Sequence, residues 1–155
     1  MNTRSSHVTC NGKIEILTQA TYQHRSGHLE VKITGSGEPT DYCLLLETSG
    51  SSGGKQNIQL YREIISQISQ QLSNIDRMSL MTFGSTCTTA VPGVPVADFK
   101  LPPEVGQSEC YRGPSNLGTA LRDAFDLVTP DRATHLIIIT QGYPSEGIVT
   151  QPGLI

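Results

Sequence analysis

Glu47, Ser49 and Ser51 fall at every second position of ETSGS, inside the segment Asp41–Gln56 (DYCLLLETSGSSGGKQ). One carboxylate and two hydroxyls in a loop are polar groups that can hydrogen-bond a ligand. An apolar run precedes them and an amphipathic helical pattern follows, which places the loop at the carboxyl end of a buried strand, where open α/β sheets bind their ligands. The three side chains are therefore expected beside solvent on a rigid platform. The same loop also fits Gly-x-Ser-x-Gly as Gly50-Ser51-Ser52-Gly53-Gly54, the pattern of a hydrolase nucleophile turn. Ser52 would be the nucleophile, with Asp131 and His135 as candidate acid and base. His135 opens a strand, however, and a parallel strand would put it at the wrong end of the sheet. GGKQ lacks the spacing of a phosphate-binding loop, and Gln56 has no hydroxyl for Mg²⁺. The four histidines, His7, His24, His28 and His135, show no metal-ligand spacing.

The elements around this loop follow from periodicity. Lys13–Tyr22 and His28–Thr34 alternate apolar and polar residues and read as a hairpin turned at HRSG. The Gly/Pro cluster Gly35–Thr40 ends that extension, giving an N-terminal unit over 1–40 and a second unit over 41–155. Tyr42–Leu46 is unbroken apolar and suits a central strand covered on both faces. Ile58, Tyr61, Ile65, Ile68, Leu72 and Ile75 recur at helical spacing. Met78–Phe83 is a further strand, and Thr86–Val91 makes an edge-like partner. Pro92, Pro95, Pro102, Pro103 and Pro114 then predict loop with a short helical turn. Ser115 or Asn116 can cap a helix running to Val128, with Leu117, Ala120, Leu121, Ala124, Phe125 and Val128 on its apolar face. His135–Thr140 is the last strand. The order predicts an α/β, Rossmann-like three-layer fold, mostly parallel with one antiparallel edge.

At 155 residues the chain suits one domain that buries roughly 68–70% of its unfolded surface. Eleven Lys and Arg are scattered against 14 Asp and Glu, a net charge of -3, so no nucleic-acid footprint is present. No signal peptide and no apolar run of membrane-spanning length is seen, so a soluble cytoplasmic protein without membrane contact is expected. Cys10, Cys43, Cys87 and Cys110 lie far apart and read as reduced thiols, with Cys43 a buried apolar residue.

Glu47–Gly54 (ETSGSSGG) with its preceding strand, RMSLMTFGS (Arg77–Ser85), GPSNLGTALRDAF (Gly113–Phe125) and HLIIITQGYPS (His135–Ser145) together resemble the von Willebrand factor A (VWA) family over residues 41 to 146. In that family three loops converge on Mg²⁺ at a metal-ion-dependent adhesion site, which an acidic group of a partner often completes. Carried over by position, the resemblance implies Glu47, Ser49 and Ser51 in the first loop, where the family has Asp, Ser and Ser. It implies Ser115 in the second loop, in place of Thr, and Gln141 in the third, in place of Asp. Mg²⁺ sites normally include one or two carboxylates, and at most one remains here. The expectation is a non-enzymatic protein-binding face formed by Glu47, Ser49, Ser51, Ser115 and Gln141, with no cofactor. The alternative is weak Mg²⁺ held by Glu47, Ser49, Ser51 and Ser115.

Within the family the chain is similar to the bacterial tellurite-resistance type, through Ser79–Pro103, SNLGTAL and QGYPSE, which implies a stress-response setting. The family usually continues beyond the last strand, so the chain is expected to be C-terminally short. That would leave His135–Thr140 as an apolar sheet edge, to be covered by the N-terminal hairpin, by a second copy in a homo-oligomer, or by a partner protein.

Overall fold

The computed structural model describes residues 3–10, 14–23, 26–33, 37–141 and 145–147, the first three segments as backbone only. Strands β1 (Thr3–Cys10), β2 (Ile14–Gln23) and β3 (Ser26–Ile33) form an antiparallel sheet in chain order. The expected hairpin is thus a three-stranded meander, with β1 in register from Thr3↔Thr21 to Cys10↔Ile14. TRSSHVTC carries one aliphatic residue, so β1 has no apolar alternation to announce it.

A second sheet comprises β4 (Thr40–Glu47), β5 (Arg77–Phe83), β6 (Cys87–Pro95) and β7 (Ala133–Ile139) in the order β6-β5-β4-β7. β4 runs parallel to β5 and β7, and β6 is the antiparallel edge. Leu44, Leu45 and Leu46 of central β4 are fully buried because both sheet faces are covered. Helix α1 (Lys55–Gln71) lays Ile58, Tyr61, Ile65 and Ile68 against Tyr42, Leu44, Leu46 and Leu80. On the opposite face α2 (Leu117–Phe125) meets Cys43, Leu45, Met81 and Phe83 through Ala120 and Ala124, whose small side chains let the helix approach closely. This is the predicted three-layer, mostly parallel arrangement.

Three boundaries differ from expectation. α1 stops at Gln71 and Ile75 lies exposed in a turn, because the buried Asp76 carboxylate takes the N–H groups of Ser73 (2.8 Å) and Thr40 (3.0 Å) and turns the chain into β5. α2 stops at Phe125, leaving Phe125 68% and Val128 48% exposed rather than on a buried face. β6 continues through Pro92 to Pro95, where a loop was expected; an edge strand tolerates proline, and the β5–β6 register shifts around Leu80. The segment that follows is three short 3₁₀ turns, and it adds Val105 and Tyr111 to the α1-side core.

β7 is an edge of this sheet among the described residues, with Ile138 partly open to solvent. β3 lies alongside α1, so of the three covers considered for β7 the N-terminal strands do not supply it by pairing. Cys43, Cys87 and Cys110 are free thiols, and Cys43 is buried as expected. No helix among the described residues is long and apolar enough to cross a membrane.

Candidate functional site

Parallel β4, β5 and β7 end together, so the loops that follow them gather at one end of the sheet. Main-chain hydrogen bonds bind these loops into one unit. Thr48 N–H donates to Phe83 O (2.7 Å), Arg112 N–H to Thr48 O (3.0 Å), Gly50 N–H to Gly113 O (3.0 Å) and Asn116 N–H to Gly84 O (2.8 Å). Gly113 adopts φ +75°, a conformation that favours glycine, and a Cβ on Gly53 would come within 2.8 Å of Tyr111 Cβ. The Asn116 side chain caps α2 by accepting from Thr119 N–H at 3.1 Å, which leaves Ser115 to face the site. Beyond β7, the N–H groups of Ser145 and Glu146 donate to Ser115 O, while Ser115 N–H donates to Ser145 Oγ at 2.9 Å.

Glu47 is the centre of this unit. It is the last residue of β4 and is 1% exposed, with Ser49 and Ser115 buried as well. Of the five residues expected at the face, only Ser51 and Gln141 are exposed. The expectation that Glu47 and Ser49 stand beside solvent is therefore corrected: the extra methylene of Glu carries the carboxylate inward, where donors surround it. Ser49 Oγ donates to one carboxylate oxygen at 2.5 Å; Thr140 Oγ1 at 2.5 Å and Gln141 N–H at 3.0 Å donate to the other. Burial pushes the Glu47 carboxyl up, but the hydrogen bonds from Ser49, Thr140, the Gln141 N–H and Ser115 outweigh it and hold the group below its ordinary 4.5. It is a carboxylate at neutral pH.

Ser49 Oγ also lies 3.0 Å from Ser51 Oγ and 3.3 Å from Ser52 Oγ. Burial raises the Tyr61 phenol, an effect opposed in part by hydrogen bonds with the Ser52 and Gln141 side chains. Thr140, Ser145 and Ser52 in its packing role were not singled out from sequence, since each contributes through a partner in another loop. The quoted segments HLIIITQGYPS and QGYPSE contain the first two, but no local pattern distinguishes them.

These donors do not fit a resident dication. Glu47 is the one carboxylate at the centre of the described loops, and both its oxygens already accept hydrogen bonds from the protein. No group of three or more His, Cys, Asp or Glu side chains among the described residues is placed to hold a metal. The remaining donors are uncharged and cannot neutralise Mg²⁺. Nor does the hydrolase constellation assemble. Ser52 is fully buried, and His135 pairs in register with Tyr42 and stacks on its ring, five residues and roughly 16 Å from the Glu47 end.

Residues 42–143 match the family described as von Willebrand factor type A domain. No curated protein matches the chain. Among solved structures it is similar to an aerotolerance-related membrane protein of Bacteroides fragilis NCTC 9343, at TM-score 0.54 and 16% identity over 70% of this chain and 57% of that one. It is similar to the conserved hypothetical protein BatB of Bacteroides thetaiotaomicron, at TM-score 0.53 and 20% identity over 70% and 56% of the two chains. The pilus adhesin SpaC of Lactobacillus rhamnosus GG gives TM-score 0.54 and 15% identity, over 92% of this chain and 19% of that one. At these identities the likeness shows the fold alone, and this chain spans little more than half of the first two proteins and about a fifth of the third.

Proposed function

Because the chain belongs to the von Willebrand factor type A family, we propose that it is a non-enzymatic protein-binding module whose binding surface is the face around Glu47, Ser49, Ser51, Ser115 and Gln141. The observation that carries this reading is the buried Glu47 carboxylate held by three loops, which makes that end of the sheet a preorganised polar surface with Ser51 and Gln141 outermost. A binding role is supported by SpaC, of similar fold, which is called a pilus adhesin. Immobilised protein should capture partners from cell extract. Ser51→Tyr, which fills the exposed centre of the face, should release them, whereas Glu63→Lys on the exposed side of α1 should not. Capture unaffected by Ser51→Tyr would place binding elsewhere.

The face works, in this proposal, by hydrogen bonds and shape with no resident metal. Titration calorimetry with Mg²⁺ and Mn²⁺ is expected to show no binding heat at millimolar metal. Saturable heat would instead favour the metal-dependent alternative, in which Glu47, Ser49, Ser51 and Ser115 hold a weak Mg²⁺ that accepts an acidic side chain of the partner. The proposal extends to a cytoplasmic stress-response role of the tellurite-resistance type, which rests on Ser79–Pro103, SNLGTAL and QGYPSE.

We also propose that β7 is covered by a second copy of the chain. Its outer edge, which no other strand adjoins among the described residues, and half-open Ile138 offer apolar surface that pairing would bury. Size exclusion with light scattering should give twice the chain mass, and Ile138→Lys should return it to the single-chain value. A monodisperse single chain at micromolar concentration would remove this proposal.

A further inference from the structure

Glu47 sets the direction of every hydroxyl proton connected to it. Ser49 has one proton, and it lies on the carboxylate at 2.5 Å. The contact of Ser49 Oγ with Ser51 Oγ at 3.0 Å can then run one way only, with Ser51 donating and Ser49 accepting. Ser51 is exposed, and with its proton committed inward its oxygen offers solvent lone pairs alone. Chained hydrogen bonds of this kind polarise one another, so the charge of the buried carboxylate is felt at the Ser51 oxygen. Glu146, exposed and tied through its N–H to Ser115 O, is a second acidic residue of this unit. Of the cations close in the chain, Arg112 turns its Nε back onto Glu109 O at 2.8 Å, and exposed Lys55 opens α1 four residues beyond Ser51.

An exposed hydroxyl acceptor over one buried negative charge suits an occupant with one positive charge and donors to offer. We infer that the face recognises a primary ammonium, the lysine side chain of a partner protein, through Ser51 with Glu47 as the buried counter-charge. This rests on the metal-free reading above and reverses the charge of the partner that a metal site would require: with Mg²⁺ the centre is net positive and attracts a carboxylate, and without it the centre is net negative. Lysine fits better than arginine. A guanidinium seeks a carboxylate with both oxygens available, and both oxygens of Glu47 are capped by Ser49, Thr140 and Gln141 N–H. An ammonium is a compact charge that can meet single acceptors from several directions.

The test uses the full ¹⁵N-labelled chain in EDTA, titrated with n-butylammonium as the lysine mimic and n-butyrate as the acid mimic. Butylammonium should move the Ser51 and Gln141 amide signals progressively, and butyrate should leave them in place. Ser51→Ala, which leaves the buried carboxylate untouched, should weaken the response about tenfold, as for loss of a hydrogen bond to a charged group. Glu47→Gln, provided its spectrum stays dispersed, should abolish it. The inference is overturned if butyrate moves these signals and butylammonium does not, or if wild type and Ser51→Ala respond alike. Should captured partners still depend on Ser51→Tyr yet resist competition by butylammonium, the lysine inference falls and the binding face stands; loss of both would remove the face as well.

Discussion

Glu47→Gln is expected to lower the unfolding free energy by roughly 2–4 kcal/mol at neutral pH, although it changes one atom. The carboxylate accepts from Ser49, Thr140 and the Gln141 N–H inside a site that is 1% exposed. An amide keeps one acceptor oxygen and turns its NH₂ toward donors, leaving at least one buried donor without a partner, at about 1–3 kcal/mol each. The acid limb gives an independent check. The Glu47 carboxyl is held below its ordinary 4.5, so its contribution is complete above that pH and is lost as pH falls through the folded-state value. Urea unfolding of the two proteins should therefore diverge most near neutrality and converge in acid. Equal stability at neutral pH, or curves that stay parallel into acid, would show that the carboxylate does not organise the three loops.

The double substitution Glu47→Asp with Gln141→Asp should give the proposed metal-free face saturable Mg²⁺ binding. Asp at 47 withdraws the carboxylate by one methylene, and Asp at 141, the exposed first residue after Thr140, restores a second charge. Two unit charges about 4 Å apart attract by ~4 kcal/mol at an effective dielectric near 20, and desolvation of the ion removes much of this. A surplus of even ~1.4 kcal/mol is tenfold in affinity. Calorimetry should show saturable Mg²⁺ heat for the double variant and none for the parent. Silence from both would mean that charge alone does not explain the missing affinity, and that loop geometry, such as Pro114 beside Ser115, also opposes the metal.

Long apolar runs carried most of the fold in legible form. YCLLL and MSLMTF read as buried strands because their neighbours in space are apolar on both faces, HLIII read as a strand from its β-branched run, and α1 read as a helix because its stripe persists for several turns. The misreadings are residues whose fate is decided elsewhere in the chain. Ile75 fits the α1 stripe, yet Asp76 captures the backbone and ends the helix first. Phe125 and Val128 fit the α2 stripe, yet the helix ends at Phe125 and leaves both exposed. β1 is polar and held by backbone pairing. At the site, Glu47, Ser49, Ser51 and Ser115 were legible from pattern and do converge. Their depth was not, because it depends on Thr140 and Gln141, 93 and 94 residues away from Glu47 along the chain.

The two edges of the sheet containing β4 are unequal. β7 presents the apolar run Leu136–Ile139, whereas β6 carries Pro92 and Pro95, which have no N–H, and a slipped register against β5. Growth of a sheet from molecule to molecule needs two receptive edges on each, one to receive and one to hand on. With β6 blunted, joining at β7 is a terminating step: concentrated protein should stop at closed pairs and should not propagate into fibres.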